Sequence, residues 1–113
     1  DIREFLAVAL QVSGFNVVEA CNGEEAVDVA KDRRPDLILL DIRMPKLNGY
    51  QACETLKSTP YTRDIPIVFL SAFASESDIE MGLTLGAEEY LTKPIDPGLL
   101  TQRVSEVLQR ARA

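Results

Sequence analysis

Leu37-Ile38-Leu39-Leu40-Asp41-Ile42-Arg43-Met44-Pro45-Lys46-Leu47-Asn48-Gly49 is the stretch that decides the fold. Four apolar residues in a row read as a strand covered on both faces, the pattern of a parallel sheet. Asp41 then sits where that strand leaves the core. Pro45 and Asn48-Gly49 forbid a simple continuation. In an open parallel α/β sheet, ligands and chemistry collect at the carboxyl ends of the strands. A short turn is thus built to present one acid.

The flanking sequence supplies the rest of the sheet. Upstream, Ile2, Phe5, Leu6, Ala9 and Leu10 recur at helical spacing, which predicts an amphipathic helix over 2–13 with Asp1 as N-cap and Gly14 as stop. Residues 15–19 alternate as a short strand. Asn22-Gly23 turns the chain into a helix over 24–33, ended by Pro35, with Arg34 pushed to an extended conformation. Residues 36–40 are the next strand. Downstream, a helix starts at Asn48 or Gly49 and runs to Ser58. Residues 65–70 form a third apolar strand, 76–85 a weak helix stopped by Gly86, and 87–91 a fourth strand. Pro97 opens the last helix, with Leu100, Val104, Val107 and Leu108 inward. The order αβαβαβαβα predicts a parallel sheet with helices on both faces.

Composition narrows the function classes. The chain has 113 residues, one domain's worth, with 46% hydrophobic and 27% charged residues. No apolar run approaches the roughly 18–20 residues that span a bilayer, and no leader pattern opens the chain, so a cytoplasmic place is expected. The net charge of −6 argues against direct binding to nucleic acid. Arg103, Arg110 and Arg112 read as a solvated face beside Glu106. Cys21 and Cys53 read as two small buried or half-buried residues without a disulfide. Histidine is absent, which removes imidazole bases and His-based triads.

Asp41, Ser71 and Lys93 each fall at, or just past, the end of a successive strand. Alone, Asp41 reads as a turn residue or cap, Ser71 as a loop hydroxyl and Lys93 as a surface lysine. Together they converge on one edge of a right-handed parallel sheet. A carboxylate attacks phosphorus to give an acyl phosphate. A hydroxyl and an ammonium then hold the phosphoryl oxygens, and phosphoryl transfer needs little beyond positioning and charge.

The residues that carry this trio also carry a resemblance. Pro35 through Pro45 with Asn48-Gly49, Ile65 through Ala72, Gly86-Ala87 and Tyr90-Leu91-Thr92-Lys93-Pro94 resemble the receiver domain of two-component response regulators, over nearly the whole chain. The resemblance implies a CheY-like, flavodoxin-like three-layer αβα sandwich with sheet order 2-1-3-4-5. It implies that Asp41 takes a phosphoryl group from a sensor histidine kinase or histidine phosphotransfer protein. Ser71 and Lys93 would hold that group. Asp41 and the backbone carbonyl of Arg43 would contact Mg²⁺, and Ser71 with Tyr90 would form the switch. The surface over 76–111 would then meet an output domain or a downstream protein, with a dimer left open. Such a chain is no enzyme beyond its own Mg²⁺-dependent phosphorylation and dephosphorylation.

One departure stands out. The family fold begins with a central strand that ends in an acidic pair, the other Mg²⁺ contacts, and Asp1 fits the helix cap that follows that pair. Each buried aliphatic side chain on such a strand contributes about 1.5–3 kcal/mol, against a typical domain stability of about 5–15 kcal/mol. The resemblance therefore implies that residues 1–113 are an N-terminally incomplete receiver domain. The strand would come from further upstream residues or another chain, and Mg²⁺ would bind weakly or not at all. Phe73 and Arg43, each two residues past a site residue, would shield the phosphoryl group or simply pack. An aspartate-nucleophile phosphohydrolase wants a second aspartate at position 43, which is Arg. A flavodoxin-like cofactor binder wants a phosphate cradle that no strand here precedes. The remaining alternative is a receiver-like interaction module that is never phosphorylated.

Overall fold

Side chains that alternate across three short parallel strands set up two cores, one on each face of the sheet. The computed structural model describes residues 2–43, 46–73 and 75–112. The N-cap expected at Asp1 and the turn residues Met44 and Pro45 lie outside them. In chain order the elements are α1 (Ile2–Val12), α2 (Gly23–Arg33), β1 (Ile38–Leu40), α3 (Gly49–Ser58), β2 (Ile67–Ser71), α4 (Glu76–Thr84), β3 (Glu89–Thr92) and α5 (Pro97–Arg112). The sheet runs β1-β2-β3, parallel throughout, with Ile38 opposite Ile67 and Phe69 opposite Tyr90.

Ile38, Leu40, Ile67 and Phe69 point to one face, where Val27 and Ala30 of α2 and Ala52, Cys53 and Leu56 of α3 cover them. Leu37, Leu39, Leu70 and Leu91 point to the other, against Leu6 and Leu10 of α1 and Leu100 and Val104 of α5. Apolar runs without polar alternation follow from this, because both faces are dry. The helices begin where side chains replace missing backbone partners: Asn22 accepts from the Glu25 amide, and Asn48 with Gln51 forms a reciprocal capping box. Gly86, at φ 109°, ends α4 in the left-handed region.

Three expectations are corrected. Residues 15–19 form no strand: Phe15 and Val17 do turn inward onto the α1–α5 core, but the segment is not a member of the described sheet. Alternation places side chains, whereas a strand also needs a ladder partner. Arg34 is not extended; it is left-handed (φ 41°, ψ 66°), because it closes α2 by donating its amide to the Ala30 carbonyl. Its guanidinium stacks 4.6 Å above the Tyr61 ring. Cys21 is exposed on the turn before α2, while Cys53 is buried; both are free. Among the described residues, no helix is long and apolar enough to cross a membrane.

Candidate functional site

The register fixes where the chemistry meets. Leu40 lies opposite Phe69, and Ser71 opposite Thr92. Asp41 therefore leaves β1, Ser71 ends β2 and Lys93 follows β3, on three adjacent strand ends. The Lys93 amide donates to the Ser71 carbonyl at 2.8 Å, extending the ladder one residue past β3.

Asp41 and Lys93 meet directly. Lys93 Nζ donates to Asp41 Oδ2 at 2.5 Å, and the Arg43 amide donates to Oδ1 at 3.0 Å. The side chains are 37% and 25% exposed, respectively. The acid is thus reachable from solvent yet held by a cation on one oxygen and a backbone donor on the other. Ser71 is buried, and its Oγ accepts from the Phe73 amide at 3.1 Å. Among the described residues it donates to none.

The loop that carries Asp41 is pressed between helices. A Cβ on Gly49 would fall 2.4 Å from the Asp41 carbonyl oxygen, and one on Gly23 would fall 1.8 Å from that of Leu47. Only glycine lets α3 and α2 approach this backbone so closely. The Gly49 amide also donates to Ile42 O at 3.0 Å.

Behind the strand ends lies an aromatic trio. Tyr50 meets Phe69 edge-on at 5.5 Å between centroids, and Tyr90 meets Phe69 at 5.9 Å. The Tyr90 hydroxyl donates to the Phe73 carbonyl at 2.9 Å, and the Tyr50 hydroxyl to the Asp78 carbonyl at 3.1 Å. Burial, with Tyr90 close by, pushes the Tyr50 phenol well above its ordinary value. Arg43 stacks its guanidinium 4.9 Å over the Phe73 ring, so the two bulky neighbours flanking the pocket touch each other.

Two participants escaped the sequence reading. Tyr50 follows Asn48-Gly49 in what reads as a simple helix start, and its reach to α4 spans 28 residues. Glu89 gathers Arg110 at 3.0 Å and Arg103 at 3.5 Å, its side chain only 15% exposed. Those arginines are exposed, as the solvated face beside Glu106 was expected to be, and through Glu89 they also tie α5 to β3. The one signal was an acid on a strand opposite a basic helix.

The residues described offer magnesium the Asp41 carboxylate and the Arg43 carbonyl. Among them no group of three or more His, Cys, Asp or Glu stands together as a metal site. Mg²⁺ demands a near-octahedral oxygen shell, and both Asp41 oxygens are already engaged. This donor set does not by itself fit the ion.

The family model described as "Response regulator receiver domain" matches residues 1–105. The phosphate regulon transcriptional regulatory protein PhoB of Pseudomonas aeruginosa is 44% identical over 96% of this chain and 48% of its own length. The chain thus spans about half the length of the curated relatives it matches. Among solved structures, the chemotaxis protein CheY4 of Vibrio cholerae is 29% identical with a TM-score of 0.87, covering 94% of this chain and 88% of that one. The receiver domain of the sensor histidine kinase PA1611 from Pseudomonas aeruginosa is 32% identical, with a TM-score of 0.81, covering 96% and 85%. That structure has a magnesium ion coordinated in its active-site cleft. The flavodoxin-like α/β fold expected from the sequence is the fold these neighbours share.

Proposed function

Because this chain belongs to the response regulator receiver domain family, we propose that Asp41 is its phospho-acceptor in a two-component phosphorelay. The observation that carries this reading is the Lys93–Asp41 contact at the strand ends, with the Ser71 hydroxyl, which accepts from the Phe73 amide, at the end of the strand between. An Asp41 carboxylate oxygen attacks phosphorus on a phosphohistidine of a partner kinase or phosphotransfer protein. The P–N bond breaks, its electron pair stays on the imidazole nitrogen, and an O–P bond forms.

The new group carries about −1.5 to −2 charges. Lys93 follows that charge from Oδ2 to the phosphoryl oxygens. Ser71 turns its proton toward them, and because its Oγ holds the Phe73 amide, the loop after β2 moves with it. Phe73 O in turn holds Tyr90. A charge added at Asp41 thereby biases an existing equilibrium over 76–111, the surface this reading assigns to an output domain or downstream protein. In this reading residues 1–113 act as one receiver domain in the cytoplasm, with no activity beyond their own phosphorylation and dephosphorylation. Magnesium assists only where further carboxylates join Asp41 and the Arg43 carbonyl.

The natural full-length chain, incubated with acetyl phosphate and magnesium, takes up one phosphoryl group and loses that uptake in Asp41→Asn. Amide shifts over 71–111 move on phosphorylation. Uptake that survives Asp41→Asn, or shifts confined to the neighbourhood of position 41, would overturn the reading.

A further inference from the structure

Helix α4 sits on the molecule in an unusual way. Its one buried residue is Gly82, which brings no side chain to the core. Met81 and Leu83 are 51% and 45% exposed. A Cβ at position 82 would lie 2.8 Å from the Tyr90 ring and 3.0 Å from the Phe69 ring, so the helix backbone rests almost directly on aromatic carbon. With so little apolar side chain beneath it, the placement of α4 depends on directed polar contacts. Two tyrosine hydroxyls supply them. Tyr90 holds the Phe73 carbonyl in the loop before α4, and Tyr50 holds the Asp78 carbonyl in its first turn.

The two tyrosines come from different places. Tyr90 stands on β3. Tyr50 stands on α3, one residue after the Gly49 that packs against the Asp41 backbone and donates to Ile42 O. We propose that Tyr50 is a second positioning residue of the switch, its hydroxyl coupling the seat of α4 to the loop that presents Asp41. The segment from Phe73 to Asp78 is then pinned at both ends: through Tyr90 to the sheet, and through Tyr50 to the helix behind the acid. Motion of the Asp41 loop reaches α4 through Gly49 and Tyr50, beside the Ser71–Phe73–Tyr90 connection. Burial first, and the neighbouring Tyr90 next, raise the ionisation of Tyr50, so the hydroxyl holds its proton at neutral pH.

The inference deepens the reading of 76–111 as a switch surface and rests on it only for its consequence. The grip of Tyr50 on α4 is measured without phosphorylation, so the two can fail separately. Native-state amide exchange is compared between the chain and Tyr50→Phe, which keeps the ring and its edge contact with Phe69. Exchange across α4 is expected to quicken about fivefold, the factor set by one ordinary hydrogen bond, with α2 and α5 unchanged. A uniform rise through all helices, or none in α4, overturns the proposal. A second measurement needs no substitution: the ¹³Cζ signal of Tyr50 should move only above pH 10.0, the ordinary value for a phenol. Titration at that ordinary value would show a phenol open to water rather than seated beneath α4, which overturns the proposal.

Discussion

Helices α3 and α4 lie side by side behind the same strand ends and are held in opposite ways. Helix α3 opens with a reciprocal capping box and buries Ala52, Cys53 and Leu56 completely. Helix α4 opens on a single serine cap, Ser75, and buries only a glycine. The first is fixed by apolar area, which is non-directional and hard to rearrange. The second is placed by hydroxyl bonds that exchange partners at little cost. In the proposed reading, a charge added at Asp41 would meet a rigid wall on one side and a movable one on the other. That asymmetry is what the proposed switch would use to turn a small chemical event into a change of surface.

The largest expected break in this comparison is Leu56→Ala, which removes a fully buried side chain from the fixed helix. It should destabilise the chain by about 2–5 kcal/mol, read by chemical denaturation. Leu83→Ala on α4 should change stability by no more than about 0.5 kcal/mol. Similar losses at the two sites would mean that α4 is seated by apolar burial after all.

Next comes Gly82→Ala. Helix propensity alone predicts a gain of about 1 kcal/mol. The contact with Tyr90 and Phe69 predicts a loss of about 1–3 kcal/mol from overpacking, together with displaced Tyr90 ring signals. A net gain with unmoved rings would show that the aromatic trio does not bear on α4.

The smallest effect is a matter of pH. The Tyr50 phenol is raised, so above its ordinary 10.0 the unfolded chain releases a proton that the folded chain keeps. Its contribution is complete below that pH and is lost as pH climbs through the folded value. Stability should thus fall above pH 10.0, and less steeply in Tyr50→Phe. Equal slopes would show that the folded chain does not bury the Tyr50 phenol.

The placement of the site residues was legible because it depends on residue type at strand ends. Asp41, Ser71 and Lys93 could be placed from apolar runs and their punctuation, and two of the three meet at 2.5 Å. Elements fixed by distant partners were not legible. Residues 15–19 have the composition of a strand, but composition carries no information about which ladder accepts them. Arg34 obeyed the needs of a helix end over the preference set by Pro35. Glu89 and Tyr50 disclose their roles only through contacts 14 to 28 residues away. Local pattern predicts which face a side chain takes; it does not predict which carbonyl a hydroxyl will find.

The central claim is tested most directly by the chemical nature of the phosphorylated group. Borohydride reduces an acyl phosphate to an alcohol and leaves a phosphate on a hydroxyl untouched. Treating the phosphorylated natural chain with borohydride and mapping its peptides by mass should show Asp41 converted to homoserine, and no other position. Conversion at another carboxylate, or a phosphate that resists reduction, would contradict Asp41 as the acceptor.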